Sequence, residues 1–86
     1  MKYRVELETQ ARREFLGLPK DVRERVSDAV DDLQNFPRPP GAKKLKGIDG
    51  YRIRKDKYRI LFTIADKDHL VRVYRTGHRK EVYRTN

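Results

Sequence analysis

From position 51 to 65 the chain alternates. Tyr51, Ile53, Tyr58, Ile60, Phe62 and Ile64 take every second place on either side of Asp56-Lys57, with Arg52, Arg54 and Arg59 between them. A period of two sends neighbouring side chains to opposite faces of a strand. The connection decides how the two runs pair. A two-residue turn at Asp56-Lys57 sets position 54 against 59 and keeps the apolar residues on one face; a three-residue turn sets 54 against 58 and drives both arginines among them. The chain therefore predicts a hairpin in which Arg54 and Arg59 are direct cross-strand neighbours, with Arg52 roughly 7 Å along the same strand. At a Cβ separation of about 5 Å, two such charges repel by on the order of 3 kcal/mol at an effective dielectric of 20, and by under about 1 kcal/mol in open water. A surface built this way suits an anion.

The remaining elements follow from the same patterns. Tyr3, Val5 and Leu7 alternate with Lys2, Arg4 and Glu6 as a first strand. Thr9 is placed to cap a short helix carrying Ala11, Phe15 and Leu16, which Gly17 stops. Pro19 suits the first turn of a second helix, whose stripe is Val22, Val26, Ala29, Val30 and Leu33 and which Phe36-Pro37 ends. Residues 37–50, with their prolines and glycines, read as a loop. Runs at 51–55, 58–65 and 70–76 read as an antiparallel meander. The expectation is one α+β domain over residues 1–86: a strand, a two-helix hairpin and three more strands. The helices would cover one face of a four-stranded sheet, leaving the other open, with a short helical tail at the C-terminus. In the last strand Val71 and Val73 face the core and Arg72 and Tyr74 join the open face; the same parity sends Arg75 inward, where it must snorkel at the strand end.

Charge is segregated along the chain. Residues 1–42 hold 8 Lys and Arg against 8 Asp and Glu, whereas residues 43–86 hold 14 against 5, which is the whole net charge of +9. This favours nucleic acid or a ribonucleoprotein as partner. With no cysteine and two histidines, neither a disulfide framework, a metal centre nor a cofactor is expected. No apolar run is long enough to span a bilayer and the N-terminus lacks the apolar stretch of a signal peptide, so a cytoplasmic protein without membrane contact is expected.

Beyond the last strand comes Thr76-Gly77-His78-Arg79-Lys80-Glu81-Val82-Tyr83. Gly77 permits a sharp turn, after which the tail would fold across the sheet, burying Val82 and presenting Arg79 and Tyr83 to the open face. RNA is cut without a metal when its own 2′-hydroxyl is deprotonated and attacks the adjacent phosphorus while fixed cations stabilise the transition state. Guanidiniums match phosphate oxygens and stay charged. His78 is the candidate acid/base, with an unperturbed pKa near ~6.5, and is equally well read as a surface histidine beside a turn. Tyr83 is placed to stack on a base or polarise a hydroxyl. Lys43, Lys44 and Lys46 form a basic loop suited to backbone phosphates, and Arg72 and Tyr74 extend the RNA-binding face.

Together, Lys44-Leu45-Lys46-Gly47, Tyr51-Arg52-Ile53-Arg54, Tyr58-Arg59-Ile60-Leu61-Phe62, Gly77-His78-Arg79 and Glu81-Val82-Tyr83 resemble the RelE toxins of the RelE/ParE superfamily. The resemblance spans nearly the whole chain. It implies the toxin of a type II toxin–antitoxin pair, a metal-independent endoribonuclease that enters the ribosomal A site, cleaves messenger RNA there and so inhibits translation. By motif position it implies that Arg52 and Arg54 bind or activate the nucleophile region, Arg59 and Arg79 stabilise the phosphate, and Tyr83 orients the substrate. A RelB-like antitoxin is implied as partner in a hetero-oligomer. One departure stands out: the best-studied family pattern has lysines where this chain has Arg52 and Arg54, and guanidiniums, with pKa values above ~12, make poor proton acceptors. The base is then open between Arg54, Tyr83 and His78. Two other readings compete: the ParE branch, which inhibits DNA gyrase by binding it, and a non-catalytic RNA-binding module. Arg79 with Tyr83 weighs against the first.

Overall fold

The hairpin at 51–65 lies at the middle of the sheet in the computed structural model, which describes residues 2–47 and 50–78. The elements in chain order are β1 (Arg4–Leu7), α1 (Thr9–Leu16), α2 (Lys20–Asp32), β2 (Lys43–Lys44), β3 (Tyr51–Lys55), β4 (Tyr58–Ala65) and β5 (Leu70–His78), with a 3₁₀ turn at Asp66–Asp68 between the last two. The sheet has five strands in the order β1-β5-β4-β3-β2, not the expected four. The added strand lies inside the stretch read as a loop, where Lys43 pairs with Arg52 and Lys44 with Tyr51. Two residues are too few to show an alternation. All neighbours are antiparallel except β1, which runs parallel to β5 at the opposite edge.

The core forms where the helical stripe meets the apolar face of the sheet. Val22, Val26, Ala29, Val30 and Leu33 of the α2 stripe, with Ala11 of α1, pack against Ile53, Ile60, Phe62, Val71 and Val73. Asp21 in the first turn of α2 suits the positive end of the helix dipole. Two local expectations change. Thr9 is the first helical residue of α1 rather than its cap; Glu8 occupies the cap position, without a side-chain hydrogen bond. Leu16, expected in the stripe, is 60 % exposed, since α1 turns only one side to the strand beside it.

That side covers the edge of β5. The Glu8 N–H donates to the Val73 carbonyl at 2.8 Å, where β1 stops. Beyond it, a bulge places Phe62 opposite Val73 and Leu61 opposite Arg75, so that Tyr74 is the extra residue. The bulge changes the parity of β5. Thr76 is buried opposite Ile60, its hydroxyl donating to the Ala11 carbonyl at 2.7 Å. Arg75, expected to point at the core, instead ion-pairs with Glu14 of α1 at 2.8 Å, and the same carboxylate accepts the Thr76 N–H at 2.9 Å.

A second polar cluster ties the chain after α2 to the sheet. Arg38 reaches both carboxylate oxygens of Asp66, at 3.2 and 2.9 Å, and donates to the Tyr51 hydroxyl at 3.2 Å. The Tyr3 hydroxyl donates to Asp66 at 2.6 Å. Hydrogen bonds from Arg38, then from Tyr3, hold the Asp66 carboxyl down at about 2. No helix among the described residues is long and apolar enough to cross a membrane.

Phe62 is fully buried, so Phe62→Ala should cost about 3–5 kcal/mol, a large fraction of the stability of a domain this size, whereas Leu16→Ala should stay within about 0.5 kcal/mol. Urea midpoints of the two variants test this, and similar losses in both would refute the assignment of the core. The Asp66 cluster predicts a pH effect. A carboxylate with a lowered folded pKa stabilises above its unfolded value near ~3.9, and that contribution fades as pH falls toward about 2. Asp66→Asn should therefore flatten the stability curve between those limits; a variant curve parallel to wild type throughout would show that Asp66 is not bound in this way.

Candidate functional site

The turn of the β3–β4 hairpin is two residues long, with Asp56 in the left-handed region at φ 56°. Arg25 of α2 holds the Asp56 carboxylate at 2.8 Å. The register is the one that parity requires, Arg54 opposite Arg59 and Ile53 opposite Ile60. Arg52 and Arg54 share the face turned away from the helices, since Tyr51 and Ile53 pack on the core.

On that face the arginines are not equally open. Arg54 is exposed and Arg52 half-buried, but Arg59, expected to point freely outward, is only 8 % exposed. Its Nε and Nη1 are buried and have no hydrogen-bond partner. Across β5 its neighbour is Gly77, itself buried, so no side chain competes for the space beside the guanidinium. Among the described residues no acidic side chain pairs with Arg52, Arg54 or Arg59, while Arg4, Arg25, Arg38, Arg72 and Arg75 all have carboxylate partners. Buried guanidinium nitrogens left without a hydrogen bond cost about 1–3 kcal/mol each, more in a charged group. The geometry offers that cation to an anion.

The other expected site residues divide. Lys43 stands opposite Arg52 and so joins the arginine face; Lys44, opposite Tyr51, turns to the other. Lys46 lies in the exposed turn beyond. Arg72 is set apart from the cluster: it pairs in register with Glu6, whose carboxylate lies 3.9 Å from it and 3.1 Å from Arg4. Tyr74 is partly buried and spans β4, its hydroxyl lying where a Cβ on Gly50 would come within 3.3 Å. Gly50, at φ 144°, also sits where that Cβ would be 3.0 Å from the Phe62 carbonyl. His78 is not brought to the arginines. It stands opposite Tyr58, meeting that ring edge-on at 5.7 Å, on the face that packs against the helices. There it lines a cleft of about 430 Å³ with Arg13, Glu14, Leu18 and Tyr58. The expected tail, with Arg79, Val82 and Tyr83, lies outside the described residues.

Sequence reasoning missed Gly50 and Gly77 as makers of space, and the β2 register that selects Lys43. The only available signal for the glycines was their place, one just before a strand and one opposite an arginine. Residues 5–83 match the model of the family described as the ParE toxin of the type II toxin–antitoxin system parDE. The chain belongs to the RelE/ParE toxin superfamily. Within it, the chain is 33 % identical over 86 residues to the toxin RelG of Mycobacterium tuberculosis, covering 98 % of this chain and 99 % of that one. The toxin–antitoxin complex RelBE2 of the same organism contains a chain with a TM-score of 0.82 and 29 % identity, covering 92 % of this chain and 100 % of that one. The RelE–RelB complex of Pyrococcus horikoshii OT3 gives 0.81 and 29 %, over 94 % and 99 %. RelE relatives thus share this toxin's fold over more than nine tenths of the chain.

If Arg59 is kept at a cost to stability, Arg59→Met should raise the melting temperature by several degrees, since about 1 kcal/mol is worth roughly 4–8 °C in a domain of this size. A thermal melt tests this. A lower melting temperature in the variant would mean that the guanidinium is satisfied in the folded toxin.

Proposed function

We propose that this toxin is a metal-independent, ribosome-dependent endoribonuclease that cuts messenger RNA in the ribosomal A site and so stops translation. The observation that carries the reading is the Arg54–Arg59 pair, with two guanidinium nitrogens of Arg59 buried and unpartnered beside the side-chain-free Gly77. A phosphodiester supplies what that seat lacks. The 2′-oxygen attacks the adjacent phosphorus, forming the new O–P bond as the bond to the 5′-oxygen breaks; one proton leaves the 2′-hydroxyl and one is delivered to the departing oxygen. Arg54, with Arg52, acts at the nucleophile, and Arg59 and Arg79 balance the added charge on phosphorus. Tyr83 orients the substrate. With His78 turned toward Tyr58, Arg54 and Tyr83 are left as proton acceptors, and a guanidinium in that role makes for slow chemistry. A RelB-like antitoxin would silence the toxin by covering this face or displacing its tail, a reading supported by relatives solved as toxin–antitoxin complexes. The same basic face and the absence of a membrane-crossing helix among the described residues fit a protein acting in the cytoplasm on ribosomes.

The family model that matches is named for ParE, which makes gyrase inhibition the second reading. Primer extension on a translated message separates the two. Wild type should produce stops within codons on programmed ribosomes. Arg54→Ala and Arg79→Ala should each weaken them by roughly 10²–10³-fold without loss of fold. Intact message, together with DNA synthesis failing before protein synthesis in pulse labelling, would establish the gyrase reading instead.

A further inference from the structure

The strand β2 brings a residue that this nuclease reading does not use, Lys43. Lys43 stands directly opposite Arg52, so a second like-charged cross-strand pair lies beside Arg54 and Arg59, two residues further along β3. Both pairs share one face, because Arg52 and Arg54 alternate with the core-packed Tyr51 and Ile53. Among the described residues neither Lys43 nor Arg52 has an acidic partner, although Arg72 and Arg75 on the same sheet do. Like charges placed directly opposite destabilise a strand pair, and here that happens twice in succession. The two pairs differ in depth: Arg59 is buried, whereas Lys43 is exposed on the edge strand. Arg52 and Arg54 are separated by roughly 7 Å along the strand, close to the distance between successive phosphates on an extended single-stranded nucleic acid.

We propose that Lys43 and Arg52 form a second phosphate seat. It holds the phosphodiester one nucleotide away from the scissile one, so that the RNA strand crosses the sheet from β4 toward the β2 edge. The pair that contains the buried Arg59 meets the reacting phosphate, and the pair that contains the exposed Lys43 fixes the strand's register upon it. Arg52, beside Arg54 at the nucleophile, thereby also reaches the neighbouring phosphate, and Lys43 acts in binding alone. The proposal rests on the nuclease reading.

The test uses programmed ribosomes and messages in which one phosphate flanking the cut is replaced by an uncharged methylphosphonate, on either side in turn. On the all-phosphate message Lys43→Ala should raise the half-saturating toxin concentration roughly threefold to fivefold at unchanged maximal rate. With one of the two neutral messages, wild type and Lys43→Ala should become indistinguishable. The melting temperature of Lys43→Ala should match or slightly exceed that of wild type, since Lys43 is exposed and its loss relieves the repulsion with Arg52. Equal half-saturation on the all-phosphate message would overturn the seat. So would an undiminished Lys43→Ala penalty on both neutral messages, which would place Lys43 on the ribosome instead. If wild type leaves the all-phosphate message intact, the nuclease reading itself falls.

Discussion

Two guanidiniums facing each other across a pair of antiparallel strands set the terms for this molecule. Nothing in the Arg54–Arg59 contact stabilises the fold, so its position has to be imposed from elsewhere. On the reverse face of the same strands, Ile53 meets Ile60 and the ring of Tyr51 stacks on Phe62 at 5.8 Å. Slipping by one residue would expose all four. At the tip, the left-handed Asp56 is held to α2 by Arg25, which pins the turn at two residues. Core packing and a turn restrained from outside thus enforce a juxtaposition that the charges oppose.

The surrounding charges show how selective this is. Carboxylates neutralise cations all around the sheet: Glu6 beside Arg4 and Arg72, Glu14 with Arg75, and Asp66 with Arg38. Acidic residues are therefore available, yet the face formed by Lys43, Arg52, Arg54 and Arg59 pairs with none of them among the described residues. Arg59 carries the largest penalty, since burial removes the water that would otherwise screen it. A stability cost retained at one place is the pattern of a trade-off between stability and function, and the proposed nuclease reading draws on this face.

Much of this was legible from residue order. The strict period of two around Asp56-Lys57 specified the hairpin register, because only one turn length keeps Tyr58, Ile60 and Phe62 with Ile53. The α2 stripe followed from its spacing. What escaped depended on contacts distant in sequence. The Tyr74 bulge reversed the parity that had sent Arg75 into the core and let it find Glu14, 61 residues away. Strand β2 is two residues long and has no periodicity to read, so Lys43 and Lys44 seemed equivalent until pairing placed them on opposite faces. Strand parity across the β4–β5 pair likewise carried His78 to the Tyr58 side, where a reading based on its neighbours in the chain had grouped it with the cations.

The most direct measurement is a double-mutant cycle on the free protein, comparing unfolding free energies of wild type, Arg54→Gln, Arg59→Met and the double variant at low and high salt. A repulsive coupling between the two positions is expected, on the order of 1 kcal/mol at low salt and smaller as ionic strength rises. An attractive coupling, or none at either salt concentration, would contradict it.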